Sequence, residues 1–266
     1  MSTITLEAAP EHRVRPRRMS IAHLTTVELR KMFDTRSGFW LMASIAIAAV
    51  LATTAAIIFA PEDELTYSTF ASAIGIPIAI ILPMIAILSV TSEWSQRSGL
   101  TTFTLVPHRH SVVIAKGIAS IGVGAVSVLL AFAIGAVGNV VGSAITGVDT
   151  VWDASVRECL SIILANVLGL LIGFMLGVLI RNSPGALVAY FIYSGVLPSI
   201  FAMLAASQDW FRELQPWVSF SYAQGALFDT AALTSTEWAQ LGVTGILWLL
   251  IPMGVGVWLL MRSEVK

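Results

Sequence analysis

The sequence predicts an all-α polytopic membrane protein with six transmembrane helices. Hydrophobic residues make up 56% of the 266-residue chain and charged residues only 12%, too few charges to solvate the surface of a soluble protein of this length. Six separate stretches of at least 22 residues contain no Asp, Glu, Lys or Arg. Because a membrane-spanning helix needs about 20 apolar residues, each stretch is long enough for one span. This composition excludes most soluble enzymes and nucleic-acid-binding proteins.

The predicted spans follow these uncharged stretches in order along the chain. They cover residues 38–60, 68–91, 117–142, 159–180, 185–207 and 239–261. A seventh uncharged stretch, residues 214–228, has only 15 residues and is too short to cross a bilayer. We expect residues 20–266 to form a single transmembrane domain and residues 1–19 to form a basic, disordered N-terminal tail.

The positions of the basic residues predict the orientation of the chain. Of the 15 Lys and Arg residues, 13 lie before the first span, after the last span or in the second and fourth connections. Only Arg157, in the third connection, and Arg212, in the fifth, lie on the opposite side of the membrane from these 13 residues. Because basic residues beside spans are retained on the cytoplasmic side, we expect both termini in the cytoplasm.

Residues 20–36 predict an N-terminal amphipathic helix ahead of the first span. On a helical wheel, one side holds Ile21, Ala22, Leu29, Met32 and Phe33. The opposite side holds His23, Arg30 and Asp34. Leu24 and Val27 are apolar but lie outside the apolar side. This pattern is typical of a helix that lies in the cytoplasmic membrane interface. The alternative is a solvated basic anchor that only sets the topology.

The fifth connection, between the last two spans, is aromatic and nearly uncharged. It holds Trp210, Phe211, Trp217, Phe220 and Tyr222, among other aromatic residues. Such a segment outside the membrane predicts short helices that fold onto the bilayer or re-enter it. The alternative is an interfacial cap without a function of its own.

The second connection, residues 92–115, is the longest cytoplasmic connection, and Leu100 and Phe103 recur in it at helical spacing. An apolar helix side in the cytosol indicates a partner that packs on it. Arg97 and Arg109 could then pair with acidic groups of that partner. The alternative is that both arginines only set the topology and the apolar residues dip into lipid.

No catalytic, cofactor or metal motif emerges from the sequence. The three lysines, Lys31, Lys116 and Lys266, do not follow Gly, so the phosphate loop of an ATPase is missing. His108 and His110 flank a cationic arginine without a nearby acidic or Cys ligand, which favours a surface pair over a metal site. We therefore expect a chain that is not an enzyme and binds no cofactor itself.

The predicted spans hold no ionisable residue except at possible ends. Ion-coupled transporters place charged groups at membrane depth, so this absence favours an energy source in another chain. Polar residues inside the spans, each favoured as an interhelical hydrogen-bonding group, are Ser127, Asn139, Ser161, Asn166 and Ser194. An intramembrane enzyme is poorly supported, because the spans hold no paired acid and base.

Small residues and prolines predict how some spans pack and bend. Gly169, Gly173 and Gly177 form a small-xxx-small ridge on the fourth span, which lets another helix approach closely. Prolines that can kink their helices are Pro77, Pro83, Pro198 and Pro252. Kinked spans either line a cavity or are merely tolerated.

Residues 93–116 read EWSQRSGLTTFTLVPHRHSVVIAK. This segment resembles the pattern Glu-aromatic, Arg, Gly-small-Thr, Leu, Pro, Arg, Lys that follows span two in permease subunits of type-2 ATP-binding-cassette (ABC) exporters. The matching residues are Glu93, Gly99, Thr101, Leu105, Pro107, Arg109 and Lys116. Leu100 stands where the family often has Thr directly after the glycine. Six spans, an N-terminal interfacial helix and a long outer segment before the last span also look like this family, from about residue 20 to the end.

The resemblance implies partners and a function. Permeases of this family pair as homo- or heterodimers and bind two copies of a separate ATPase subunit, which holds the ATP and Mg. The stretch after span two forms the cytoplasmic coupling helix, which here would involve Glu93, Arg97, Gly99, Leu105, Pro107 and Arg109. The implied activity is export of a lipophilic or amphipathic substrate, such as a drug, antibiotic or lipid, across the plasma (inner) membrane of a prokaryote. The alternative is a non-transporting membrane scaffold or immunity protein.

Overall fold

The computed structural model describes residues 20–34, 36–95, 109–229 and 231–262. Within them, regular structure is helical apart from one bridge between Thr66 and Val151. Six helices are long and apolar enough to cross a membrane. This architecture confirms the predicted class, an all-α multi-pass membrane protein. The predicted tail at residues 1–19 lies outside the described residues.

The helices have the following bounds. The N-terminal helix is Ile21–Asp34, span one is Arg36–Phe59, span two is Tyr67–Ser95, span three is Arg109–Thr146 and span four is Val156–Ile180. Span five comprises Ser183–Phe191, a π-helical turn at Ile192–Val196 and Leu197–Ser207. Span six comprises Ser235–Gly245, a π-helical turn at Ile246–Leu250 and Ile251–Arg262. The outer helices are Asp209–Val218 and Phe220–Gly225, and short 3₁₀ turns form at Glu62–Glu64 and Ala226–Phe228.

Large apolar side chains cover the outward faces of the bundle. Leu51, Val126, Met203 and Leu250, on spans one, three, five and six, are each at least 60% exposed. Water would strongly disfavour so large an apolar surface, whereas lipid tails solvate it. Helical spans also satisfy their own backbone hydrogen bonds, as a lipid environment requires. The exposed surface is therefore the surface of a membrane protein.

Span two lies at the centre of the bundle and packs against spans one, three and four and, over a shorter length, span five. Its side chains Ile74, Ile78, Leu82 and Ile85 are buried and recur about every four residues. This spacing places them on one side of the helix, where they belong to the main hydrophobic core. A displacement of span two would therefore affect four neighbouring spans.

Span four connects this core to a second hydrophobic cluster. Leu170, Phe174 and Val178 recur every four residues and belong to the core around span two. Another side of span four carries Ile172 and Met175, which pack with the outer helices and span six. Span four thus joins the central spans to the last third of the chain.

The glycine ridge of span four lies partly against span two of the same chain. A Cβ atom added to Gly173 would lie 2.8 Å from the Cα atom of Pro83, and one added to Gly177 would lie 3.2 Å from the Cβ atom of Val90. Gly169 instead faces the side chain of Gln224 in an outer helix, 3.3 Å from the corresponding position. The absence of side chains at Gly173 and Gly177 lets the two helix backbones approach closely.

Two of the four prolines that were expected to kink helices follow π-helical turns. Proline has no backbone N–H, and its ring clashes with the carbonyl group four residues earlier. For Pro198 that carbonyl belongs to Ser194, and for Pro252 it belongs to Trp248; both lie inside the π-helical turns. The wider turn relieves the clash. Pro77 and Pro83 lie within span two, which remains α-helical.

Span three begins earlier than predicted. We expected residues 117–142, but the helix runs Arg109–Thr146. The predicted span began after Lys116 because a charged residue is unfavourable in a span. In the structure Lys116 is only 6% exposed and forms an ion pair with Glu28, so the helix includes it.

The loop between spans three and four is fixed to the start of span two. Asp153 accepts hydrogen bonds from the backbone N–H and the hydroxyl of Ser68, at 2.8 and 2.6 Å. The side-chain amide of Asn139 donates to the carbonyl of Val151 at 2.9 Å. Asn139 therefore holds a loop rather than a neighbouring span, in contrast to our expectation. We call this end of the bundle the apical end, and the end with the N-terminal helix the basal end.

Replacing Gly173 with Ala tests the close contact of spans two and four. The new methyl group overlaps the backbone at Pro83, so we expect the free energy of unfolding to fall by about 1–3 kcal/mol. The check is the midpoint of heat-induced unfolding of the purified protein in detergent.

Gly122→Ala in span three is the matched control, because no atom lies within 4 Å of its added Cβ position. We expect this variant to keep the wild-type midpoint. A Gly173→Ala protein as stable as the Gly122→Ala protein would contradict the packing account.

Candidate functional site

The residues predicted to couple the chain to a partner lie around a gap in the described structure. Arg97, Gly99, Leu105 and Pro107 lie outside the described residues. The backbone of Glu93 belongs to the last turn of span two, and Arg109 is the first residue of span three. The structure thus gives the two helix ends from which residues 96–108 extend, both at the basal end of the bundle.

A buried group of charges lies directly beside these helix ends. The carboxylate of Glu28, in the N-terminal helix, accepts a hydrogen bond from the ammonium group of Lys116 in span three and a second from Lys31 at 2.7 Å. The Lys116 ammonium also donates to the backbone carbonyl of Ser89 in span two at 3.2 Å. We call Glu28, Lys31, Ser89 and Lys116 the Glu28 cluster. It joins three separate helices.

The Glu28 cluster is held together by the attraction between Glu28 and Lys116, two charged side chains that are largely shielded from solvent. The side chains of Lys116 and Glu28 are only 6% and 8% exposed. Burial by itself raises the pKa of Glu28, but the attraction and hydrogen bond of Lys116, followed by those of Lys31, outweigh burial and lower the pKa below its ordinary value. Glu28 is therefore ionised at neutral pH. Removing Lys116 would leave the buried carboxylate of Glu28 with Lys31 as its cationic partner, and removing Glu28 would leave the buried Lys116 without this countercharge. Breaking a buried pair in this way typically costs about 3–5 kcal/mol, and the remaining contacts of each group reduce that cost.

Hydroxyl groups add further links at the basal end of span two. Ser89 and Ser120 of span three lie 3.3 Å apart, oxygen to oxygen, and Thr91 and Ser183 of span five lie 2.7 Å apart. Both pairs are within hydrogen-bonding distance. Together with the Glu28 cluster, these contacts connect the last turns of span two to spans three and five and to the N-terminal helix.

The docked side of the N-terminal helix differs from the apolar side that the helical wheel selected. Leu24, which we expected to fall off the apolar face, is buried with Val112 and Ala115 of span three. Phe33, which we expected on the apolar face, is 51% exposed. A signal in the sequence pointed to the docked side: Glu28 follows Leu24 by one helical turn and thus lies on the same side. The wheel selected a side for the membrane interface by hydrophobicity alone, and it contained no information about a second side that packs on span three.

A cavity of about 160 Å³ lies between spans two, four and five and the outer helices. Two of the polar residues singled out in the sequence, Asn166 and Ser194, line it, as does Gly169 of the glycine ridge. The amide nitrogen of Asn166 donates to the carbonyl of Ile162 at 2.9 Å, but the amide oxygen has no partner among the described residues. The hydroxyl of Tyr193, also in the lining, has none either.

Comparison with known proteins adds no further assignment. No protein-family model matches the sequence, and a search of curated proteins finds no match. The functional interpretation therefore depends on the residues themselves and on the contacts that the structure places around residues 96–108.

Lys116→Met tests whether the Glu28 cluster docks the N-terminal helix. We expect the helix to detach, because the buried carboxylate of Glu28 loses its main partner. In a Cys159→Ser background, Leu24→Cys reports detachment by its rate of reaction with a maleimide. Leu24 is 8% exposed, so this rate is low while the helix is docked, and Lys116→Met should raise it at least about tenfold.

Two further variants make this measurement specific. Exchanging the charges by Glu28→Lys with Lys116→Glu should slow the labelling again, because the ion pair forms. The rate should stay above that of the wild type, because Lys31 then lies beside a like charge and the carbonyl of Ser89 loses its donor. Val27→Cys should react at the same high rate in every background, because Val27 is 37% exposed on the docked helix. Slow labelling of Leu24→Cys in the Lys116→Met protein would refute the assigned role.

Lowering the pH provides a second test of the Glu28 cluster. A group whose pKa is lowered by folding stabilises the structure above its ordinary pKa, here 4.5, and this contribution is lost as the pH falls through the lowered value. Amide hydrogen exchange in Ile21–Asp34 should therefore remain slow from pH 7 to pH 5 and accelerate in more acidic solution, after correction for the intrinsic rate. In Glu28→Gln this additional acceleration should be missing; its persistence would assign the transition to another acid.

Proposed function

We propose that this chain is the membrane-spanning subunit of an ABC exporter, driven by ATP that a separate subunit hydrolyses. The observation that carries the proposal is the position of the Glu28 cluster next to the two helix ends that flank residues 96–108. The sequence of residues 93–116 resembles the coupling segment of such permeases. A partner docked on residues 96–108 would push on the two helix ends that this cluster and its neighbouring hydroxyl pairs fix to the bundle. Residues 96–108 would thus be mechanically linked to the whole basal end of the bundle.

The proposed mechanism is a rigid-body movement. Closure of an ATPase dimer displaces the coupling segment, and Glu93 and Arg109 transmit the displacement to spans two and three. Because span two packs against four other spans, they move with it rather than past it. The ion pair of Glu28 with Lys116 keeps the N-terminal helix attached to span three during this movement.

The proposed orientation of the chain in the membrane is inferred from the positions of its basic residues. The basal end, with both termini, faces the cytoplasm of a prokaryotic cell, where the ATPase subunits are located. The N-terminal helix then lies at the cytoplasmic membrane surface, and its exposed Ile21 and Phe33, at 44% and 51%, contact lipid. The outer helices lie at the opposite membrane surface.

The proposed cargo is a lipophilic or amphipathic molecule, and its path lies between two copies of the permease. The cavity within one chain measures about 160 Å³, whereas pockets for drug-sized ligands typically measure about 300–1,000 Å³. A second permease, identical or homologous, would supply the other wall of a larger path. Two copies of the ATPase subunit complete the proposed assembly.

Glu93→Ala and Arg109→Ala test the coupling role directly. The wild-type chain is purified with an ATPase subunit encoded beside it, and we expect the two proteins to co-purify. Each variant should still insert into the membrane, but should retain about a tenth or less of the bound ATPase and of the permease-dependent ATP hydrolysis, as expected when a charged contact worth roughly 1.4 kcal/mol or more is lost.

Glu64→Ala and Arg212→Ala are the matched controls, because they remove the same two residue types from exposed positions at the apical end. Both should bind the ATPase as the wild type does. Wild-type binding and hydrolysis in Glu93→Ala and Arg109→Ala would reject the coupling assignment. A wild-type chain that binds no ABC ATPase would favour the scaffold or immunity alternative.

A further inference from the structure

We propose that residues 214–228 bind the acyl chains of the apical leaflet as a re-entrant hairpin, which enters the bilayer, turns at Ser219 and returns to the same surface. The sequence alone leaves open whether this uncharged segment lies on the bilayer, re-enters it or forms a cap outside it. The exposure of its side chains and its contacts with the spans favour re-entry. The inference goes beyond the proposed function, because it needs neither the ATPase nor a transported cargo.

The segment exposes its apolar and aromatic side chains and turns its polar side chains inward. Its large exposed side chains, with exposed fractions from 38% to 53%, are Leu214, Trp217, Tyr222 and Phe228. Its polar side chains, all buried or half-buried, are Gln215, Ser219, Ser221 and Gln224. A segment in water shows the opposite distribution, because water solvates polar groups and disfavours large apolar patches. The distribution is that of a segment surrounded by lipid tails, which offer polar groups no hydrogen bonds.

Charged residues stand at both ends of the segment and none lies within it. Arg212 and Glu213 precede it and Asp229 follows it, and all three are exposed. Charges are unfavourable at membrane depth, so both ends of the segment lie at the apical surface. Its 15 residues are too few to cross the bilayer. A segment held at one surface by both ends can enter the bilayer only as a hairpin.

Two hydrogen bonds attach the turn of the hairpin to the spans. The indole N–H of Trp248 in span six donates to the carbonyl of Val218 at 2.7 Å. The side-chain amide of Gln224 donates to the carbonyl of Ala165 in span four, also at 2.7 Å. The depth of the turn therefore follows from the positions of Trp248 and Ala165 along their own helices.

These two positions lie below the membrane surface. At a rise of about 1.5 Å per residue, Trp248 lies about 20 Å along span six from Ser235, its first residue. Ala165 lies about 14 Å along span four from Val156, its first residue. Spans six and four have 28 and 25 residues, so when centred they exceed a hydrocarbon core of about 30 Å by only about 6 and 4 Å at each end. Both attachment points are therefore inside the hydrocarbon core.

The turn meets the condition that lipid imposes on backbone outside a continuous helix. Ser219 and Phe220 are only 3% and 2% exposed. The N–H of Ser219 donates to the carbonyl of Gln215 at 2.9 Å, and its carbonyl accepts from the N–H of Ala223 at 3.1 Å. The hydroxyl of Ser219 accepts from the N–H of Tyr222 at 3.3 Å and caps the second outer helix. Irregular backbone at membrane depth is tolerated only where protein covers it, as it does here.

Lipid is the partner because the hairpin lies along a span whose outward side faces lipid. The ring of Phe211, just before the hairpin, contacts the ring of Phe201 in span five, with centroids 5.5 Å apart. Ile200 and Met203, next to Phe201 in the chain, are 49% and 72% exposed and belong to the apolar outward surface of the bundle. The exposed aromatic side of the hairpin continues this surface toward the boundary with water, where Trp and Tyr are enriched in membrane proteins.

The test is spin labelling of the full chain in phosphatidylcholine nanodiscs. In a Cys159→Ser background, the labelled variants are Leu214→Cys, Trp217→Cys, Tyr222→Cys and Phe228→Cys. Electron paramagnetic resonance measures how often each label collides with oxygen, which enters lipid, and with a polar nickel chelate, which stays in water. We expect Trp217→Cys and Tyr222→Cys to collide readily with oxygen. Their nickel collision rates should be about a tenth or less of those at the flanking controls Glu213→Cys and Asp229→Cys, because lipid excludes the polar chelate.

The order of the nickel rates distinguishes a hairpin from a segment that lies flat on the bilayer. In a hairpin the rate falls from Leu214→Cys to Trp217→Cys and rises again from Tyr222→Cys to Phe228→Cys. Equal shielding at all four positions would overturn re-entry. Nickel rates equal to those of the flanking controls would indicate a cap in water and overturn the lipid contact. Low collision rates with both oxygen and nickel would overturn it as well, because a second copy or another protein would then cover the segment. Trp217→Cys and Tyr222→Cys report the same depth independently, so the test does not depend on one variant.

Discussion

The structure at the basal end depends on burying two opposite charges together. Lys116 lies inside a helix that otherwise contains no Asp, Glu, Lys or Arg from residue 110 to residue 146, and its ammonium group is almost completely removed from water. It is tolerated because Glu28 neutralises it and the carbonyl of Ser89 accepts a further hydrogen bond. Each partner makes the other's burial possible. The N-terminal helix, span two and span three are joined where the pair forms.

This arrangement divides the bundle into regions of different character. The basal end is fixed by charge pairing and hydroxyl contacts, and the apical end by Asp153 and its bonds to Ser68. Between them, the contact of Gly173 with the backbone at Pro83 brings spans two and four close together. The last third of the chain contains the two π-helical turns and borders the cavity. A force applied at the basal end would therefore act on a firmly linked set of spans.

The sequence predicted the spans well because lipid imposes a simple rule on composition. Length without charge identified all six helices, and the amphipathic pattern identified the N-terminal helix. The helix of span three extends beyond the predicted residues 117–142, and no local rule reveals that Lys116 is neutralised by a residue 88 positions earlier in the chain. The contact of Leu24 and Glu28 with span three could not be predicted for the same reason. The cavity combines residues from three spans and the outer helices, and such a combination depends on packing that the sequence pattern does not contain.

If the chain works with an ATPase subunit as proposed, ATP hydrolysis by the complex provides the most direct test of the central claim, that the Glu28 cluster links the proposed coupling segment to the bundle. The comparison is between Glu28→Lys, Lys116→Glu and the double variant, each purified with the proposed ATPase subunit. We predict that each single substitution abolishes the hydrolysis that depends on this chain. The double variant should recover a substantial part of it, because only there do opposite charges meet again, although Lys31 then lies beside a like charge. Wild-type hydrolysis in both single variants would contradict the account, as would a folded double variant, with its N-terminal helix docked, that stays inactive.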